Sequence, residues 1–204
     1  MQQYNKSILG TIFLAYSLTL VSCKQFVASC YGINNEKYDI NAIKSIVHDD
    51  GLNLSFVYYV DSSYYRLHKI DDYKFKRSGQ PLQVLIIDSN DNLVNNFVNC
   101  DFQGFPNINF NKNSNFDDSL FLRVNSFNNK WTFTLKERIP FIKKLGIDND
   151  DCTKHKGKRL YVFYSNTMGR QKRRLFNLVK ETSRNKSFDV YYVNLDLFYN
   201  SISN

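Results

Sequence analysis

The chain has 204 residues, and its 27 Lys and Arg outnumber 19 Asp and Glu, for a formal net charge of +8. Hydrophobic residues at 43% and charged residues at 23% exclude wholesale disorder, and 8 Gly with 3 Pro exclude collagen-like or Pro-rich sequences. A mean hydropathy of −0.43 excludes a multispan membrane protein.

The chain opens with a polar hexapeptide holding one cation, Lys6, followed by the uncharged run Ser7–Ser22. As a helix that run is roughly 24 Å long, short of the ~30 Å hydrocarbon core, so it reads as a secretory signal rather than a membrane span. The run ends Leu20-Val21-Ser22-Cys23. An aliphatic residue, a tolerant position, a small residue and then a cysteine resemble the lipobox of bacterial lipoproteins, and the resemblance covers residues 1–23. It implies a diacylglyceryl group on the Cys23 thiol, cleavage after Ser22, and a mature chain that starts at Cys23. Each buried methylene is worth about 0.8 kcal/mol, so two or three acyl chains hold durably. Lys24 follows where the inner-membrane retention signal has Asp, which implies sorting to the outer membrane. A second match, Val27-Ala28-Ser29-Cys30, lacks an uninterrupted apolar run before it and ranks lower. With Cys23 acylated, Cys30, Cys100 and Cys152 remain, enough for one internal bridge and a leftover thiol in an oxidising compartment. Their pairing stays open.

Residues 1–22 therefore read as the signal peptide, 23–40 as a lipidated tether, and 41–204 as one α+β globular domain. The domain starts with a short helix whose Ile43, Ile46 and Val47 share a face, and Gly51 stops it. From 52 to 137 the pattern is β-rich. Leu52–Val60 and Tyr64–Arg77 read as strands, with Asp71-Asp72 a turn in the second. Leu82–Ile87 is a nearly continuous apolar run, hence a central strand, and Asp88–Asn92 turns it into Leu93–Cys100 as a hairpin. Residues 101–118 form an Asn-rich loop, and Ser119–Asn125 with Lys130–Glu137 a second hairpin. Pro140 opens a short helix that ends at Gly146. The connector 148–158 leads to a βαβ unit over 159–198: strand Arg159–Tyr164, helix Met168–Lys186, strand Phe188–Phe198, with parallel pairing.

Candidate chemistry is sparse. Leu160–Arg170, the following helix and Asp189–Asp196 resemble the strand, active-site turn, helix and strand of thioredoxin-like proteins. The turn Asn166-Thr167-Met168-Gly169 has no cysteine, which rules out thiol–disulfide exchange there, and the chain ends where that family has a further hairpin and helix. The helix 168–186 is two-sided. Met168, Leu175, Leu178, Val179 and Thr182 form one stripe, while Arg170, Arg173, Arg174, Lys180 and Arg184 cluster on the other side, either an anion-binding face for lipid headgroups or an acidic protein partner, or a solvated outer face that keeps the chain in solution. Behind a signal peptide no nucleic acid is expected as a partner, although the pI near 9.2 would suggest one in a cytosolic protein. Asp88-x-Asn90-x-Asn92 opens like a calcium loop but lacks the Gly and Glu that complete one. Cys152 and His155 are too few for zinc. His48 and His68 read as having no sequence-local acid or nucleophile, and no GxSxG-type context supports a triad. On strands, one of each pair Tyr58/Tyr59 and Tyr64/Tyr65 faces outward, a platform for a glycan or peptide unless packing or a loop covers it. No catalytic residue, cofactor or metal is assigned. The expected function is that of an outer-membrane lipoprotein held by its lipid anchor and binding a partner, with an envelope enzyme of dispersed site, or a decayed thioredoxin-like protein, as the alternative.

Overall fold

A computed structural model describes residues 36–98, 132–146, 157–186 and 188–202. The lipobox, all four cysteines, His155 and the stretch 99–131 lie outside the described residues.

Six strands form one mixed sheet: β1 (Val57–Val60), β2 (Leu82–Ile87), β3 (Leu93–Val98), β4 (Ile142–Lys144), β5 (Arg159–Tyr164) and β6 (Asp189–Asn194). Their order is β3-β2-β5-β6-β1-β4. The three strands β5, β6 and β1 run parallel, with Val162 opposite Tyr192 and Tyr192 opposite Val57. At the flanks β2 is antiparallel to both β5 and β3, and β4 antiparallel to β1. The α+β class read from the sequence holds, and so does the parallel βαβ unit.

Burial explains the central strands. All six residues of β2 and all six of β5 are buried, which a strand needs when helices cover both faces. One face carries Val84, Ile86, Leu160 and Val162, packed under α5 (Gly169–Lys186) through Leu175, Phe176 and Val179. Beside it α1 (Ile40–Asp49) seats Ile43 and Val47 on Val57 and Leu145. The opposite face carries Leu85, Ile87, Phe163, Tyr191 and Val193, covered by Tyr64, Leu67, Phe75, Leu135 and Phe198. Those residues come from a 3-10 turn at Ser62–Tyr65 and from α2 (Arg66–Ile70), α3 (Asp72–Ser78), α4 (Leu135–Arg138) and α6 (Asp196–Ile202). The result is three layers, helix on sheet on helix.

The caps are legible in the residues. Asp39 accepts from the Ala42 amide at 2.8 Å to start α1. Gly51, at φ 67, ends it with its amide on the His48 carbonyl and the Leu52 amide on that of Val47. The β2–β3 turn is tied by the Asp88 carboxylate, which accepts from the Asn90 and Asn92 amides at 2.8 Å each.

Five sequence expectations need correction. Tyr64–Arg77 is not a strand: the alternation of Tyr73 and Phe75 with Lys74 is incidental, and Asp71 starts α3 by accepting from the Lys74 amide at 2.9 Å. The β-rich stretch 52–137 is thus helical over 62–78, and again over 135–138 under a capping box of Thr134 and Glu137. Pro140 sits in a single 3-10 turn, after which the chain becomes edge strand β4 rather than a helix to Gly146. The final strand stops at Asn194, and Asp196–Ile202 is helix. The tether also ends earlier than 40, because Tyr38 is buried and its carbonyl accepts from Asn200 Nδ2 at 2.8 Å.

At the end of β1, Asp61 caps the 3-10 turn through the Ser63 amide and pairs with Lys143 on β4. The hydrogen bond from Lys143 holds its carboxyl at about 2. A lowered carboxyl stabilises the fold above its ordinary 3.8 and loses that contribution as pH falls toward 2. Asp61→Asn is expected to lower stability by about 1 kcal/mol at pH 7, after discounting for solvent around the pair, and by almost nothing at pH 2. Urea unfolding at the two pH values checks this; an equal loss at both removes the ion pair as the cause.

Candidate functional site

Three polar constellations stand out, and α5 carries two of them. The first lies where β5 and β6 end, the edge at which open α/β sheets place their ligands. The Asp196 carboxylate accepts four hydrogen bonds there: from Ser165 Oγ at 2.6 Å, the Asn166 amide at 2.9 Å, Asn166 Nδ2 at 2.7 Å and Asn194 Nδ2 at 2.9 Å. Asn194 Oδ1 accepts in return from the Asp196 amide at 2.9 Å. The chain continues through Asn166 Oδ1, which accepts from Lys172 Nζ at 2.9 Å, and Lys172 also pairs with Asp50 Oδ2 at 2.6 Å. Ser165, Asn166, Lys172, Asn194 and Asp196 are all buried. Burial pushes the Asp196 carboxyl above its ordinary value, against the hydrogen bonds that favour its charge. Burial likewise pushes the Tyr164 hydroxyl up. Gly169, at φ 37, makes the sharp entry into α5 that a side chain would strain. The network ties the β5–α5 turn, α6 and the end of α1 together.

A second network sits under the opposite face. Arg138 is fully buried and donates to the Phe133 carbonyl at 3.0 Å, Gln83 Oε1 at 3.0 Å, Ser78 Oγ at 3.1 Å and Thr132 Oγ1 at 2.8 Å. Its guanidinium lies 4.9 Å from the Phe163 ring centroid. Among the described residues no carboxylate pairs with it, and burial pulls its pKa down.

The third constellation is on the surface. Arg170, Arg173, Arg174, Lys180 and Arg184 are all exposed. At 100° per residue they fall within an arc of about 120°, in a ridge roughly 21 Å long. Glu181 is the one acid in the sequence of α5. The stripe opposite is buried as expected, with Met168, Leu175, Val179 and Thr182 inside and Leu178 half-buried. Beside the ridge, a cleft of about 440 Å³ opens between α5, the start of β6 and the loop after α1. Phe56, Phe176, Phe188 and Tyr192 line it together with Asn177 and Lys180. Asp50 also lines it, already neutralised by Lys172. Asn177 and Lys180 are shared with a second hollow of about 520 Å³ that reaches Glu181 and Arg184.

The five expected cations lie on one face of α5; Lys180 lines the cleft, and Arg184 lines the neighbouring hollow. Sequence reasoning missed Lys172, Asp50 and Asp196. Lys172 falls on the apolar side of α5, and a cation there demands a partner; that was the available signal. His68 does have an acid, Asp72 at 2.8 Å one helical turn on, while His48 and Asp49 are 3.7 Å apart and well exposed. Of the paired tyrosines, Tyr58 and Tyr64 are buried, Tyr59 is half-buried, and Tyr65 is exposed and stacks on His68. Among the described residues no three His, Cys, Asp or Glu converge as metal ligands, and no helix is long and apolar enough to cross a membrane. Compared with family models, curated proteins and solved structures, the chain matches none.

Proposed function

We propose that the chain is an envelope lipoprotein, anchored in the outer membrane through acyl chains on Cys23, and that it acts as a binding module for an anionic partner. The anchoring half rests on Leu20-Val21-Ser22-Cys23 at the end of an uncharged run. The binding half rests on one observation: five exposed cations in a single arc of α5, with a cleft opening alongside. A ridge with no apolar residue on its outward arc cannot insert into lipid; it attracts charge at a surface. A tether that keeps the domain near a membrane raises the effective concentration of any anion presented there.

Arg173→Glu with Arg174→Glu is expected to weaken binding to phosphatidylglycerol vesicles at low salt by at least about tenfold, since each cation near an anionic surface contributes about 1 kcal/mol. Added salt should weaken the wild-type chain in the same direction. Co-sedimentation checks both, and unchanged binding would leave the ridge a solubilising face.

A second reading, an enzyme or a decayed thioredoxin-like protein, is favoured by the Asp50–Lys172–Asn166–Asp196–Ser165 chain at the ends of β5 and β6. Beside the βαβ unit, β2 and β3 extend the sheet antiparallel next to β5. Against redox chemistry, residues 165–169 hold no thiol. Against catalysis, the network is buried and its members satisfy one another.

A further inference from the structure

The cleft beside α5 differs in chemistry from the ridge. Its walls are aromatic: Phe56 is 40% exposed, Tyr192 half-buried, and Phe176 and Phe188 lie beneath. Amide and hydroxyl groups stand among the rings. Asn53 spends its carbonyl on the Ser55 amide and keeps its NH₂ as a donor. Asn177 is exposed on α5, and Ser183 can still accept. Burial holds the Tyr192 phenol at about 12, so it remains a neutral donor at physiological pH. Aromatic walls with scattered neutral donors and acceptors suit a ring that is apolar on its C–H faces and polar on its rim.

Charge adds a second requirement. Of the acids in the lining, Asp50 is neutralised by Lys172 at 2.6 Å, and Asp189 stands at the start of β6, where it can accept from hydroxyl groups. Lys180 bridges the cleft and the neighbouring hollow, and Arg184 stands one turn further along. Among the described residues neither cation has a carboxylate partner within ion-pair distance. Through Lys180 the aromatic slot thus meets the neighbouring hollow, where Arg184 stands with the one acid of α5, Glu181.

We propose that this cleft binds a saccharide bearing a phosphate or carboxylate, its ring against Phe56 and Tyr192 and its anion on Lys180 and Arg184. The proposal deepens the binding-module reading and rests on it. A volume of about 440 Å³ lies in the range of pockets that enclose small ligands. A free sugar and the head group of a glycolipid present the same recognising chemistry, and the two arms of the test separate them.

The test is titration of the folded chain with glucose 6-phosphate, glucose and inorganic phosphate, and separately with phosphatidylcholine vesicles carrying lipid A. Glucose 6-phosphate or the lipid A vesicles should bind at least tenfold more tightly than glucose or phosphate alone, and the arm that binds names the source. Lys180→Ala and Phe56→Ala, both at exposed positions, should each weaken that binding at least fivefold, whereas Arg173→Glu should leave glucose 6-phosphate binding within twofold. Inorganic phosphate binding as well as the sugar phosphate would overturn the proposal, as would indifference to Lys180→Ala. Phosphatidylglycerol vesicles serve as the control for the broader reading. If they bind while every saccharide fails, the cleft proposal falls and the anionic-surface module survives; if they too fail, both fall.

Discussion

Replacing Asp196 by Ala lowers the unfolding free energy by about 4 kcal/mol, because it strips a buried acceptor from Ser165, Asn166 and Asn194 together. Three side chains and one amide are then left without their partner in a site that water does not reach. For a chain of this size that is a large fraction of the 5–15 kcal/mol that holds a typical domain folded. Asp196→Asn does less damage, about 2 kcal/mol, since it keeps one acceptor oxygen but turns an amide toward the donors of Asn166 and Asn194. The two variants also differ in their pH response from the wild-type chain. Burial raises the Asp196 carboxyl above 3.8, so the folded chain keeps a proton that the unfolded chain has released. The associated stability is complete below pH 3.8 and is lost as pH rises through the raised value. Both variants should lack that decline. Urea unfolding as a function of pH reads the effect, and a wild-type decline that persists in Asp196→Asn would assign it to another group.

Arg138→Ala is expected to cost about 4 kcal/mol, from a cavity beside Phe163 and from the acceptors left on Phe133, Gln83, Ser78 and Thr132. Arg138→Met should recover about half of that. It fills much of the same volume, and it removes a buried cation for which the described residues offer no carboxylate. Ser78 and Thr132 already share a hydrogen bond at 3.0 Å and can satisfy each other, while Gln83 keeps its Nε2 bonds to the Ser78 and Gln80 carbonyls. If Met proves as damaging as Ala, the guanidinium's own bonds hold the Thr132–Arg138 segment on the sheet, and packing is secondary.

What the sequence made legible follows from which forces are local. The Leu82–Ile87 run, the Asp88 turn and the two-sided pattern of 168–186 are each set by neighbours within a few residues, and each is found where expected. Tyr64–Arg77 was misread because two aromatics alternating with lysine imitate a strand, while the helical spacing of Tyr64, Leu67 and Phe75 is broken by a fresh cap at Asp71. The terminal helix was hidden behind an apolar run; the sign of its start was Asn194-x-Asp196, a polar pair that turns the chain. The cationic face of α5 was legible because exposure follows from the helical period alone. The Asp196 and Arg138 networks were not, since their members come from segments 30 to 60 residues apart and meet only once the sheet has formed. The cleft needed the same assembly: α5 contributes its Lys180, but Phe56 and Tyr192 reach it from two other elements.

Anchoring requires exchange of the leader for acyl chains at Cys23, and mass spectrometry of the protein extracted from its own cells tests that exchange most directly. The predicted N-terminal peptide begins at Cys23 and carries the mass of a diacylglyceryl group, with or without a further acyl chain. A peptide that still begins at Met1, or a Cys23 with a free thiol, would contradict it.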